Sequence, residues 1–155
     1  MIDKKYFLKP GYIFFSSEGH LLETVLGSCI SVCLWDKKNK MGIMTHYIYA
    51  FYRENEKKGV TGKIALPFAL NFMIEKGSII KDISASVIGG GKNPKLNDKV
   101  GNENIKYAMD FLNENHINID LLDVGEEKSR KVIFDTYTGK VLVSILNETV
   151  KKIGK

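Results

Sequence analysis

Apolar residues alternate with polar ones in short runs over the first third of the chain, and recur at helical spacing in two later stretches. Tyr12 to Phe15, after Pro10-Gly11, is aromatic and β-branched and predicts a first strand. Leu22 to Leu26 predicts another, which runs into Gly27-Ser28-Cys29. In Ile30 to Trp35, Ile30, Val32 and Leu34 share one face and Ser31, Cys33 and Trp35 the other. Both faces are largely apolar, as expected of a central strand covered on two sides. A charged turn, Asp36 to Lys40, leads to Met41 to Tyr49, which pairs back on that strand.

Phe51 to Lys63 is polar, contains Gly59 and Gly62, and reads as a surface loop. From Ile64 the period changes: Ala65, Leu66, Ala69, Leu70, Phe72, Met73 and Ile74 predict a helix that Gly77 stops. Pro67 falls in its first turn, where the ring is tolerated. Ile83 to Ile88 predicts a strand ending in Gly89-Gly90-Gly91. Asn102 to Asn115 predicts a second helix, with Ile105, Ala108, Met109 and Leu112 inward. Ile117 to Val124, Lys131 to Phe134 and Val141 to Leu146 are strands, the last two joined by a turn at Thr136-Tyr137-Thr138-Gly139. Strands with two helices among them predict an α/β or α+β fold, a mixed sheet flanked by the two helices.

At 155 residues the chain is expected to form one domain over 1–155, with 147–155 a frayed basic tail. The net charge of +5 raises nucleic acid as a partner. The lysines, however, are dispersed in turns and at the ends (Lys4-Lys5, Lys37-Lys38, Lys57-Lys58, Lys151-Lys152), without a basic stripe interleaved with aromatics. The expectation is no nucleic-acid partner, and a mild basic bias that suits an acidic protein surface. No apolar run is long enough to span a bilayer, so no membrane insertion is expected. Two cysteines make no disulfide framework, which points to a reducing, cytoplasmic setting.

Candidate chemistry centres on Cys29. A lone cysteine beside a strand is more often a small buried hydrophobe than a nucleophile. Against that, a Gly-Ser step is a poor way to enter a core strand, and a turn that exposes the thiol would explain it. The hairpin folds His46 back towards Cys29, the pattern of a thiol nucleophile with its general base. Such a pair suits acyl chemistry on an amide: Cys29 as thiolate beside a His46 imidazolium, with backbone N–H groups around Gly27, Ser28 and Cys29 receiving the oxyanion. A third group normally orients the imidazole. Thr24 is the nearest hydroxyl, although on position alone it is a strand residue bonded locally. Ser28 has no dedicated base, Cys33 is read as packing, and His20 and His116 as surface residues. With so few His and Cys, no metal is expected. Gly89-Gly90-Gly91-Lys92 lacks the phosphate-loop spacing and reads better as bare backbone needed for close approach, to a partner or to the Cys29 turn.

These segments, in this order, resemble the CheD family of chemoreceptor glutamine deamidases. Thr24-Val25-Leu26-Gly27-Ser28-Cys29-Ile30-Ser31-Val32-Cys33-Leu34-Trp35-Asp36 resembles the family's T-x-LGSC-strand-D block, and Gly42-Ile43-Met44-Thr45-His46 its G-hydrophobic-M-x-H block. Ile88-Gly89-Gly90-Gly91, Val100-Gly101-Asn102-Glu103-Asn104 and Asp123-Val124-Gly125 resemble its I-G-G, I-G-x-x-N and D-x-G segments; Arg130-Lys131-Val132 and Thr138-Gly139-Lys140-Val141 resemble its ending. Two departures stand out: Glu126 where the family commonly has a second glycine, and Lys92-Asn93-Pro94 where small and Met or Phe residues often follow the glycines.

The resemblance implies a single-domain layered sandwich and a Cys-His-Thr triad, here Cys29, His46 and Thr24. A one-residue difference in threonine-to-cysteine spacing between members would put the third position at Glu23. It also implies deamidation of receptor glutamines without a cofactor, and two partners: the cytoplasmic domain of a chemoreceptor and a CheC-type phosphatase. The rival expectation is a non-catalytic adaptor that binds receptors and the phosphatase. A cysteine peptidase, which would cleave chains, is a third.

Overall fold

The computed structural model describes residues 4–54, 59–95 and 99–146. The expected basic tail at 147–155 lies outside the described residues. Among the described residues nine strands divide between two sheets: β1 (Lys5–Phe7), β2 (Ile13–Ser16), β3 (Leu21–Leu26), β4 (Ile30–Asp36), β5 (Met41–Thr45), β6 (Ile83–Gly89), β7 (Asn118–Val124), β8 (Arg130–Asp135) and β9 (Val141–Ile145). The helices are α1 (Gly62–Glu75) and α2 (Val100–Glu114).

The five-stranded sheet has order β2-β5-β4-β6-β7. It is mixed, because β6 runs antiparallel to β4 and parallel to β7, with α2 as the crossover. The four-stranded sheet, β1-β3-β8-β9, is also mixed, through the parallel pair β1 and β3. The α+β layered arrangement with two helices is therefore as the pattern predicts. The strands, however, form a second sheet in place of a single one.

The even spacing of apolar residues on β4 explains the layers. Ile30, Val32 and Leu34 pack with Leu66, Ala69, Leu70 and Met73 of α1 and with Ala108 and Leu112 of α2. On the opposite face, Cys33 joins Met44 and Ile88 against Leu22, Leu26, Val132 and Phe134 of the four-stranded sheet. The central strand is thus buried on both sides, one towards helices and one towards strands. In β3 the period of two is cleaner: Leu22, Thr24 and Leu26 are buried while Val25 is exposed.

Helix α1 starts two residues earlier than the apolar period suggests, and Lys76 caps it ahead of Gly77, whose φ is +111°. Helix α2 also begins two residues early, at Val100, because its first turn packs against the glycine run. A Cβ on Gly101 would lie 2.6 Å from the Gly90 carbonyl oxygen. Strand β1 was not signalled by the pattern. Its three residues are all exposed, so no burial period marks it. Among the described residues, no helix is long and apolar enough to cross a membrane.

Candidate active site

The candidate residues meet at one end of the seam between the sheets. The β4–β5 register pairs Cys33 with Met44, and an isolated bridge pairs Ile30 with Tyr47. Continued across that interval, the register sets His46 opposite Ser31. Cys29 precedes β4 and packs against the cluster between the sheets, the face that His46 shares with Met44. Diagonal cross-strand neighbours of this kind lie about 7–8 Å apart between backbones, within reach of side chains.

Thr24 reaches His46 from the other sheet. Its side chain is fully buried, and its Oγ1 lies 2.7 Å from His46 Nδ1 and 2.7 Å from the Leu8 carbonyl oxygen. A hydroxyl carries one proton, and a carbonyl can only accept. Thr24 therefore donates to Leu8 and accepts from Nδ1, which fixes the proton of the neutral imidazole on Nδ1. Nε2 is left with its lone pair, buried and with no hydrogen-bond partner among the described residues. Glu23 faces the other way, with its carboxylate 3.2 Å from Lys131 Nζ on the outer face of the sheet. The alternation of β3 thus places Thr24, and not Glu23, against the imidazole.

Burial pushes the His46 pKa down, to about 4. The resting ring is neutral at pH 7, so the structure does not favour the standing imidazolium expected beside Cys29. A neutral base that takes the thiol proton during attack fits the burial better. Cys33, by contrast, is sealed in the core, and burial pushes its thiol up to about 12. It packs, as expected.

The turn before Cys29 is held from behind at three consecutive carbonyls. The Gly27 carbonyl accepts from Gly91 N–H and the Cys29 carbonyl from Gly90 N–H, each at 2.8 Å. The Ser28 carbonyl accepts from the Asn104 side-chain amide at 2.9 Å. A Cβ on Gly89, whose φ is +115°, would sit 2.2 Å from the Cys29 carbonyl oxygen, so the approach requires glycine. The glycine run is therefore the close backbone approach to the Cys29 turn, and no phosphate loop. Gly27 itself is exposed, and a Cβ there would meet nothing within 4 Å, so the front of the turn is open. Because trans peptides are planar, tying the Gly27 and Ser28 carbonyls inward points the N–H groups of Ser28 and Cys29 the opposite way.

Two buried residues brace this arrangement and were seen in the sequence only as parts of motifs. Asn104 is fully buried on α2, on the same stripe as Ala108 and Leu112, and that i, i+4, i+8 spacing was the available signal. Arg130 is fully buried at the start of β8, where its Nε donates to Asp123 at 3.0 Å and its Nη2 to the Gly125 carbonyl at 2.8 Å. Gly125 N–H in turn holds the Gly89 carbonyl at 2.9 Å, which links the guanidinium to the glycine run. His20 is partly buried, with Nδ1 2.7 Å from Ser16 Oγ, and His116 is exposed at the end of α2. Neither joins the site.

A family model described as "CheD chemotactic sensory transduction" matches residues 51–145, the part that supplies the glycine run, Asn104 and Arg130. The "Probable chemoreceptor glutamine deamidase CheD 1" of Albidiferax ferrireducens is 35% identical over 139 residues, 88% of this chain and 59% of that protein. Proteins named "Probable chemoreceptor glutamine deamidase CheD" are 34% identical over 90% of the chain in Trichlorobacter lovleyi and 32% over 94% in Rhodospirillum rubrum. The chain covers 89% and 85% of those two proteins, but only 59% of the Albidiferax relative and 66% of one from Vibrio vulnificus. With residues 51–145 matched by the family model and relatives more than 30% identical over most of the chain, the chain belongs to the CheD family.

Proposed function

We propose that this protein is a cysteine-dependent deamidase that converts glutamine side chains of chemoreceptors to glutamate. What supports the reading is the tautomer lock: Thr24 and Leu8 hold the His46 proton on Nδ1 and leave Nε2 as an acceptor on the face that Cys29 shares. Nε2 takes the Cys29 proton as Sγ attacks the carboxamide carbon. The N–H groups of Ser28 and Cys29 meet the developing oxyanion. The C–N bond breaks, the imidazolium protonates the leaving nitrogen, and ammonia departs from a thioester on Cys29. Water then attacks, again with Nε2 as base, and the thiol is restored as the glutamate leaves. No cofactor enters the cycle.

The names of the relatives supply the substrate class, and Gly27, with open space in front of it, supplies access for a protruding side chain. The cytoplasmic domain of a methyl-accepting receptor is the partner on this reading, in the cytoplasm. A CheC-type phosphatase is the second partner, which co-purification would test. The function itself is tested by intact-peptide mass spectrometry of a receptor cytoplasmic domain, incubated with wild type and with Cys29→Ala. A Gln-to-Glu mass gain confined to wild type is expected. Receptor binding without any mass change would leave the adaptor, and shortened peptides would indicate a peptidase.

A further inference from the structure

Strand β4 and the chain beyond β5 part company just where the candidate nucleophile and base stand. Ile30 and Tyr47 exchange two backbone hydrogen bonds, of 3.1 and 3.0 Å. Hydrogen-bonded pairs alternate along an antiparallel ladder, so the next rung in that register is Ser28 with Tyr49. These two make no such exchange, and the Tyr49 carbonyl accepts from Gly62 N–H instead. In its place stands the carboxamide of Asn104. Nδ2 donates one hydrogen to the Ser28 carbonyl at 2.9 Å and the other to the Ile48 carbonyl at 2.8 Å. The main chain of Asn104 is fixed in turn, its carbonyl accepting from the Tyr47 hydroxyl at 2.7 Å. The side-chain Oδ1 is buried without a partner among the described residues. A buried unsatisfied acceptor destabilises a fold, so the residue is not placed there for hydrogen-bond economy alone.

We infer that Asn104 is a positioning residue: its carboxamide replaces the missing rung and sets the Cys29 turn against the His46 segment. Both contacts are to backbone, one chain on each side of the site, so their loss lets the two sides spread without unfolding either sheet. The Ser28 carbonyl also determines where the Cys29 N–H points, because the two groups belong to one planar peptide. The geometry that Asn104 holds is therefore used when charge develops on the substrate oxygen, and less when substrate merely binds. Misplacement of about 1 Å at such a centre lowers rates on the order of 100-fold.

The inference rests on the deamidase reading for its kinetic readout, and the test separates the two. Asn104→Leu keeps the size and removes both donors, while Tyr47→Phe loosens the same clasp more mildly should the first variant fold poorly. Leu112→Ala, on the same helix but inside the core, serves as the stability control. In folded protein, kcat for receptor deamidation should fall roughly 10- to 100-fold in Asn104→Leu with KM changed less than about threefold. Tyr47→Phe should fall in the same direction by less, and Leu112→Ala should keep kcat. A kcat within about threefold of wild type in both clasp variants, or an equal loss in Leu112→Ala, would overturn the inference. Alkylation of Cys29 by iodoacetamide provides a second readout that does not need the receptor. Its rate above pH 7 should drop in Asn104→Leu towards that of an unassisted thiol. If wild type deamidates nothing, the proposed function falls. The alkylation profile still decides the clasp, and an unchanged profile rejects it.

Discussion

Cys29 and Cys33 lie four residues apart on one face of the same chain segment, yet the fold treats them as opposites. Cys33 is fully enclosed between the sheets, beside Ser31, and burial drives its thiol up to about 12. Cys29 stands just outside the strand, partly exposed, on a turn with open space in front of Gly27 and three anchored carbonyls behind. The residue type is the same and the local sequence is similar. What differs is that one lies within the strand and the other on the turn just before it, where Gly27 leaves the front open. On the proposed reading, reactivity is a property of the end of a sheet.

The largest effect that would break this comparison is at Cys29 itself. Cys29→Ala should reduce receptor deamidation to background while changing thermal stability little, because the side chain is only partly buried. Cys33→Ala should do the reverse: deamidation within a few-fold of wild type, and a loss of about 1 kcal/mol from the small cavity. Mass mapping after iodoacetamide treatment should find label on Cys29 in the native protein, and on Cys33 only after unfolding. Native labelling at Cys33 would show that the seam between the sheets opens.

His46 comes next. His46→Gln should slow deamidation roughly 100- to 10,000-fold, the span of a lost general base. The same residue leaves a mark on stability. Its folded pKa, about 4, lies below the ordinary 6.5, so the unfolded chain binds more protons between those values. Stability is therefore full above pH 6.5 and is lost as pH falls towards 4, by roughly 3 kcal/mol. Cys33 acts at the other end. Its folded pKa lies above the ordinary 9.0, so its contribution is full below pH 9 and is lost as pH rises towards 12. Urea denaturation across pH should show the acid loss reduced in His46→Gln and the alkaline loss reduced in Cys33→Ala. Parallel curves for wild type and variants would contradict the burial of either group.

Thr24 is smaller in effect and more specific. Thr24→Val keeps the shape but removes the hydroxyl that holds the His46 proton on Nδ1. Deamidation should fall about 10- to 100-fold, with stability down by about 1–3 kcal/mol from the unsatisfied Leu8 carbonyl and imidazole N–H. Thr24→Ser should restore much of both, since the hydroxyl returns. Restoration of stability without activity would make Thr24 a packing residue that happens to touch the ring.

How far these features were legible follows the reach of each interaction. The hairpin from β4 to β5 is local, and its two-faced apolar pattern with a charged turn at Asp36 to Lys40 was enough to bring His46 back to Cys29. The glycine run could be read as a close backbone approach because nothing else explains three glycines at a strand end. Thr24 could not be read from position, since its partner sits on the other sheet and the pairing of β3 with β8 spans more than a hundred residues of sequence. The division into two sheets escaped for the same reason: alternation marks strands, and it does not say which sheet each one joins. Asn104 was hidden by its chemistry. A polar residue on an amphipathic helix is read as facing water unless its stripe is followed, and here the stripe through Ala108 and Leu112 faces the core.

The smallest effect concerns the two departures from the family pattern, which the fold brings together. Lys92 N–H donates to the Glu126 carbonyl at 2.7 Å, beside Gly91 and hence one step from the Gly27 carbonyl. Glu126 has φ of +60°, a left-handed conformation that is strained for any residue with a Cβ. Its carboxylate meets Lys128 at 3.3 Å in an exposed pair that contributes little. Glu126→Gly removes the strain and adds back some unfolded-state entropy, so the net gain should be roughly 0.5 kcal/mol, a rise of one or two degrees in Tm. The carbonyl that Lys92 uses is unaffected, so the brace behind Cys29 stays and deamidation should not change. A fall in deamidation at unchanged or higher Tm would instead make the Glu126 side chain a contact for substrate. The strain at this position would then be serving the front of the site, where Cys29 meets its target, and not the frame behind it.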